Sequence, residues 1–435
     1  MLSTPFAAWL ERRGIHYGWP IVAITFLTLL ITAGAMGLPG ALILPLGREF
    51  GWDTGQISGA LALRLLLFGL MAPFSAALIE RYGVRTIVLV AIGLLMAGLS
   101  LAPVMTALWQ LVLFWGLMTG IGSGLTALVF GAIVANRWFS TNRGLVLGIL
   151  SASSATGQLA FLPLAAWIVD RAGWRAALVP SVGGLALIGL LILLFMRDRP
   201  ADVGLRPFGA TGAAPPPPPT PTQNAFGRAF ALLIEAATTK PAFWLLFGTF
   251  FICGLSTNGL IQTHLIPLCS DFGMPSVEAA SVLAMMGVFD LFGTIGSGWL
   301  SDRLDSRWLL FWYYGLRGLS LLYLPSSTFT FYGLSLFAVF YGLDWLATVP
   351  PTVKLTGKIF GPERAGVIFG WIFAGHQIGA ATAALGAGIT RTVYSTYLLA
   401  FYTAGAACLI AAMLAAVIGR SLSGARPALA EPAAQ

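Results

Sequence analysis

Residues 80–85 read Glu-Arg-Tyr-Gly-Val-Arg, and residues 302–307 read Asp-Arg-Leu-Asp-Ser-Arg. The two stretches lie 222 positions apart, and each separates two long apolar blocks. The same offset carries Phe50-Gly51 onto Phe272-Gly273, and an offset of 221 carries Phe139 and Arg143 onto Phe360 and Arg364. Three registers that agree within one residue predict a duplicated unit. Parallel repeats of this kind place a substrate site near mid-membrane, between the halves.

The flanking blocks identify the solvent. Of 435 residues, 57% are hydrophobic and 9% charged, and the mean hydropathy is +0.85. A soluble domain is about one quarter charged, so an ordinary soluble enzyme is excluded. A membrane-crossing helix needs roughly 20 apolar residues. The sequence offers twelve such blocks, at residues 20–46, 55–79, 86–105, 108–136, 144–168, 176–196, 241–267, 276–298, 308–325, 329–353, 365–388 and 396–419. Long unbroken blocks also exclude an outer-membrane barrel, whose strands alternate over short runs. The expected fold is an all-α polytopic membrane protein of two six-helix bundles, residues 1–196 and 241–420. Residues 197–240 form a Pro-rich linker and residues 421–435 a tail. Pro215 to Pro219 stand in a row, a composition that favours extended, unpacked chain, and an amphipathic helix is expected around Phe226 to Ala237.

Charge placement orients the chain. With both termini on one side, that side holds 18 Lys and Arg, whereas Arg48, Arg171, Arg175 and Arg391 lie opposite. Positive loops stay inside, which predicts cytoplasmic termini in a bacterial-type inner membrane. The first apolar block runs too long for a cleaved leader. The net charge of +8 is spread singly and in pairs, so nucleic acid is not an expected partner. Cys253, Cys269 and Cys408 read as small apolar side chains. His16, His264 and His376 are isolated, which leaves no metal-ligand spacing. There is no phosphate-binding loop, and no soluble segment large enough to hydrolyse ATP. No enzyme, cofactor or metal is expected; transport would draw on a gradient.

Four charges fall inside the blocks: Arg64, Asp290, Arg317 and Asp344. An unpaired charge at a helix centre costs about 2.5–3.5 kcal/mol, so these should face the protein interior and pair. Arg317, Asp344 and Asp290 lie about 10, 10 and 8 residues from the same membrane face. At 1.5 Å per residue these depths agree within roughly 3 Å. An Asp290–Arg317–Asp344 cluster is therefore feasible, either as a permanent structural pair or as a proton site, since a buried carboxylate without its partner takes up a proton. Arg64 has no acid in any N-terminal block. Its planar fork suits a substrate carboxylate or an acid across the interface, and its depth makes snorkelling difficult. Gly116, Gly120, Gly122 and Gly124 give the fourth helix a small face for packing. Pro350-Pro351 should bend the tenth.

The pattern Gly298, Asp302, Arg303 and Arg307 resembles the loop motif of the major facilitator superfamily. The first copy differs, with Ala76 for Gly and Glu80 for Asp. Tyr17-Gly18-Trp19, and Trp138-Phe139 followed by Arg143, Leu145, Gly148 and Ser153, resemble signatures of the monocarboxylate transporter-like group, which includes oxalate–formate exchangers. This resemblance implies twelve helices and alternating access. It also implies that Glu80, Arg81, Arg85, Asp302, Arg303 and Arg307 latch one closed state. Helices that line the cavity in the superfamily carry Gln158, Asn258, Gln262, His264, His376 and Gln377. The substrate-binding candidates are Arg64, Gln158, Asn258, Gln262, His376 and Gln377. A histidine satisfied by hydrogen bonds between helices is the plainer alternative for His376. Asp290 matches the group's acid in helix eight, but Thr294 stands at its arginine position, and Pro39 is followed by Gly40 where the group has lysine. The expected function is proton-coupled symport of a small organic anion, resembling a monocarboxylate, by a monomer in the lipid bilayer. The alternatives are a proton-driven exporter of drugs or other amphiphiles, suggested by Trp244, Trp345 and Trp371, and a membrane receptor that does not transport.

Overall fold

The computed structural model describes residues 3–126, 128–142, 145–150, 153, 157, 161–210 and 225–418. The first bundle comprises α1 (Gly18–Phe50), α2 (Thr54–Tyr82), α3 (Val84–Leu101), α4 (Leu108–Trp138), the described part of α5 (Leu162–Ala172) and α6 (Trp174–Phe195). The second comprises α7 (Pro241–Asp271), α8 (Ser276–Arg303), α9 (Ser306–Tyr323), α10 (Phe331–Phe360), α11 (Pro362–Tyr394) and α12 (Leu398–Val417). Among the described residues, ten helices are long and apolar enough to cross a membrane. The two missing from that set are α5, which adjoins residues outside the description, and α9. Helix α9 runs 18 residues but carries Arg307, Arg317 and several tyrosines, which dilute its apolar character.

Outward-facing side chains confirm the solvent. Val179, Leu187, Ile295, Leu336, Ile410 and Met413 are each more than half exposed, as lipid contact requires. Lipid tails give helices no hydrophobic reason to associate, so close packing of small residues takes over. Helices α7 and α11 show this best. A Cβ added at Gly254 would fall 1.8 Å from the His376 carbonyl, and one at Gly379 would fall 1.9 Å from the Phe251 carbonyl. The glycines of α4 pack as expected: Gly116, Gly120 and Gly124 face α2, and Gly122 faces α3.

Helix ends follow local chemistry. Asp53 accepts the Gln56 N–H at 2.8 Å while Gln56 accepts the Asp53 N–H at 3.1 Å, a reciprocal cap that starts α2. Gly83 turns the chain into α3 with φ +86°, a conformation that costs a side-chain-bearing residue.

The halves meet along a seam. At the face bearing Phe50 and Phe272, Gly40 of α1 lies against the Gln262 carbonyl of α7, where an added Cβ would approach to 2.6 Å. Leu162 and Ala166 of α5 join a core with Ala279, Ala280 and Leu283 of α8. Helices α2 and α11 touch along their length. The Gly55 N–H donates to Thr392 Oγ1 at 3.0 Å, Gly388 abuts Ser58, and Gly69 abuts Gln377. At the opposite, arginine-rich face, a linker helix (Ala225–Thr239) crosses the seam. Its Phe230 ring lies 5.4 Å from Phe74 of α2 and 5.5 Å from Trp371 of α11, and Trp371 Nε1 donates to the Ala229 carbonyl at 3.0 Å.

Candidate functional site

The charged residues of the second half gather at a break in α10. The helix runs to Asp344, stops over residues 345–348, and restarts at Val349. Pro350 and Pro351 occupy the first positions of the restart, where a missing N–H does no harm. The break therefore falls just ahead of the prolines rather than as a bend at them. Prolines at these positions deprive the carbonyls one turn earlier of their donors, so the break must be satisfied from outside.

Three neighbouring side chains do so. The Arg317 Nη2 donates to the Asp344 carbonyl at 2.5 Å and to the Trp345 carbonyl at 3.2 Å. Ser297 Oγ donates to the Ala347 carbonyl at 2.5 Å. Asp290 Oδ1 accepts the Leu346 N–H at 2.9 Å and the Thr294 hydroxyl at 2.9 Å. Arg317 also donates from Nε to Asp344 Oδ2 at 2.6 Å and reaches Cys253 Sγ at 3.1 Å. The Arg317–Asp344 pair thus forms as the depths suggested. Asp290 instead joins the group through the α10 backbone, and Thr294 directs its hydroxyl to that acid.

Arg64 is 6% exposed and lies within the first bundle. Its Nη2 donates to the Met36 carbonyl at 3.0 Å, while its Nε has no partner among the described residues. It borders a cavity enclosed by α1, α2, α3 and α4, whose lining includes Met36, Leu95, Trp115, Thr119 and Ser123. Helix α1 is interrupted beside that cavity at Leu38, ahead of Pro39. Trp115 sits in a π-helical turn of α4, Val112–Met118, and its Nε1 also lacks a partner among the described residues. Widened turns of this kind collect at functional sites. No sequence motif marks Trp115, because an indole in an apolar block reads as packing.

Along the seam, Asn258 and Gln262 of α7 are buried, with Asn258 in a second π-helical turn, Leu255–Ile261. His264 Nε2 donates to the Ala384 carbonyl of α11 at 2.8 Å, a satisfied inter-helix histidine. His376 is buried between Phe250 and Phe373, and its Nδ1 has no partner among the described residues. Gln377, whose Oε1 has no partner among the described residues, packs against Gly69 of the first bundle. Gln158 lies outside the described residues, as does Arg143. The tryptophans that suggested an amphiphile cavity lie elsewhere: Trp345 is in the second bundle's core, Trp371 holds the linker helix, and Trp244 is 57% exposed.

The loop charges find partners within their own halves. Arg85 donates its backbone N–H to Asp198 at 2.9 Å and its side chain to the Leu193 carbonyl at 2.7 Å. Arg81 lies over Tyr82, and Arg303 lies over Trp299. Asp302 pairs with Lys354 at 3.3 Å, and Arg307 pairs with Asp305 at 2.6 Å. The Arg307 guanidinium holds the Asp305 carboxyl below the usual carboxylate range. Glu80 stands at the end of α2. On the opposite face, sequence reading passed over a second repeat. Glu49 binds Arg175 at 2.6 Å and Asp271 binds Arg391 at 2.9 Å. These acids immediately precede the repeated Phe-Gly, again 222 positions apart.

A duplicated helical bundle with buried polar groups along its seam defines a membrane transporter. The Major Facilitator Superfamily model matches residues 24–383 and 270–433, and the chain belongs to that family, whose members transport and do not catalyse. It is 25% identical to the MFS-type transporter YcxA of Bacillus subtilis (strain 168), over 86% of this chain and 88% of that protein. It is 26% identical to monocarboxylate transporter 13 of Rattus norvegicus, over 90% of this chain and 86% of that protein. It is 24% identical to monocarboxylate transporter 4 of Mus musculus, over 92% and 82%. The fold matches a bacterial homologue of the human lysosomal transporter Spinster, solved in an inward-facing, unoccupied conformation, with a TM-score of 0.67, 16% identity and coverage of 92% of this chain and 95% of that one.

Proposed function

We propose that this transporter moves a small organic anion, of the monocarboxylate kind, together with protons. The observation that carries the reading is Arg64. It is buried among the membrane helices, and its own bundle has no acid within the membrane blocks to neutralise it. A guanidinium held this way is stabilised by an anion that comes and goes. The likeness to monocarboxylate transporters supports the same class.

The substrate lies against Arg64 and the seam residues Asn258, Gln262, His376 and Gln377, with Gln158 as a further contact from α5. Asp290, Arg317 and Asp344 couple the proton: Asp290 bonds two neutral donors, so it can change charge without breaking the Arg317–Asp344 pair. Twelve helices cross the inner membrane, with both termini in the cytoplasm. The tight α1–α7 and α5–α8 contacts then close the outer side. On the inner side Glu80, Arg81, Arg85, Asp302, Arg303 and Arg307 form cross-bundle pairs when the carrier closes inward, exchanging the partners described above. The protein works as a monomer.

The test is uptake of radiolabelled acetate and lactate into proteoliposomes under an imposed pH gradient. Accumulation that collapses with a protonophore supports the reading. No flux of either anion, with or without the gradient, overturns it. Flux of cationic dyes instead would favour the exporter.

A further inference from the structure

Helix α2 begins on the face bearing Phe50 and Phe272, with the sequence Asp53-Thr54-Gly55-Gln56. The first N–H groups of a helix have no partner within it. Asp53 takes the Gln56 N–H, and the Gly55 N–H remains. Its acceptor comes from the other bundle: Thr392 Oγ1, in the last turn of α11, lies 3.0 Å away. The Thr392 hydroxyl shares its own proton between the Gly388 carbonyl at 3.1 Å and Asp53 Oδ1 at 3.3 Å. A side chain of the second bundle therefore completes the cap of a helix in the first.

Glycine permits this approach on both helices. A Cβ added at Gly55 would fall 3.1 Å from Asp53 Oδ1 and 3.3 Å from Thr392 Oγ1, and one added at Gly388 would fall 2.4 Å from Ser58 Oγ. The contact is nonetheless reversible. Asp53 and Thr392 are exposed, so water takes over both bonds when the helices part, and the net value of such a bond is small. Ser58 Oγ is buried against Gly388 with no partner among the described residues, and parting hydrates it. The closed arrangement thus carries a cost that opposes the bonds holding it.

We infer that Thr392 and Gly55 form the clasp of a gate on this face, shut here and opened by hydration of the cap that spans the two bundles. The inference rests on the closure of this side proposed above and adds the residues that set its strength; it does not depend on the cargo. Thr392 is a positioning residue that holds α11 against the start of α2.

Ala384→Cys supplies the reporter. Ala384 is fully buried and clusters with Met36, Ala62 and Leu65 of the first bundle. It lies about 12 Å along α11 from Thr392. The purified full chain is treated with N-ethylmaleimide, and alkylation at position 384 is timed by peptide mass spectrometry, which separates it from the buried native Cys253, Cys269 and Cys408. Thr392→Val removes the hydroxyl and should speed alkylation roughly three- to tenfold, the equilibrium shift of one ordinary net hydrogen bond. Gly55→Ala should act in the same direction by wedging the helices apart, and Thr392→Ser, which keeps the hydroxyl, should stay within about twofold of the parent. Cys408, in the core of the second bundle, should keep its rate throughout. Ala62→Cys, on the facing helix, is the second reporter should the first variant fail to fold. Unchanged rates in both Thr392→Val and Gly55→Ala overturn the inference, as does equal acceleration at Cys408, which would mean general loosening. The pair Gly55→Cys/Thr392→Cys tests the juxtaposition itself, because the Gly55 Cβ position lies 3.3 Å from Thr392 Oγ1, within disulfide reach. Oxidation should suppress alkylation at position 384 and dithiothreitol should restore it. A pair that does not cross-link, or a cross-link that leaves alkylation unchanged, overturns the inference. No cargo enters these measurements, so failure of acetate and lactate uptake would sink the proposed cargo and leave the gate to be decided here.

Discussion

Asp290 offers the sharpest separation between structure and coupling. Its Oδ1 accepts the Leu346 N–H and the Thr294 hydroxyl, both at 2.9 Å. Asn at this position presents an oxygen of the same reach, so Asp290→Asn removes the charge and keeps both acceptors. Asp290→Ala removes the acceptors and strands the Leu346 N–H in the α10 break, which costs about 1–3 kcal/mol. Thermal unfolding of detergent-purified protein should therefore show Asp290→Asn close to wild type and Asp290→Ala clearly lower. In proteoliposomes, Asp290→Asn should keep carboxylate exchange at equal pH and lose accumulation driven by a pH gradient. Undiminished pH-driven accumulation by Asp290→Asn would refute the coupling role. Asp290→Ala melting with wild type would refute the claim that this oxygen supports the break.

Arg317→Met should destabilise by about 3–5 kcal/mol, because Asp344 is left as a buried unpaired acid, and Arg317→Met/Asp344→Leu should regain much of that loss in the same melting assay. Gly379→Val should lower the yield of folded protein and its melting temperature, because α11 cannot keep its distance from the Phe251 carbonyl; a wild-type melt would contradict the packing argument. The Arg307–Asp305 pair should stabilise at neutral pH and lose its effect as pH falls through the acid range below about 4. This follows because the folded state holds the Asp305 carboxyl low, so the stabilisation exists above its unfolded value. The melting difference between wild type and Asp305→Asn should accordingly shrink on acidification.

The helical membrane fold was legible because apolar blocks of bilayer length carry their own signal, and the duplication was legible because loop residues at fixed offsets escape the averaging of apolar sequence. Depth made it feasible for Arg317 to meet Asp344, since rise per residue converts position into height, but it did not separate Asp344 from Asp290 as the partner. Rotation about the helix axis is another matter. Nothing in the sequence said that Asp290 would reach a backbone N–H rather than Arg317, because the unwinding of α10 over 345–348 depends on neighbours that supply replacement bonds. The placement of Arg64 inside one bundle was illegible for a similar reason. Trp115 was missed because an aromatic in an apolar run is normally filler, and only its orphaned N–H distinguishes it.

The segment that ties the two bundles together has a mechanical consequence. With Phe230 wedged against Phe74 on one side and Trp371 on the other, it serves as a shim as well as a tether. Any tilt that parts those two rings has to dislodge the wedge first, so the resistance to such a tilt is set partly by a stretch of chain outside both bundles.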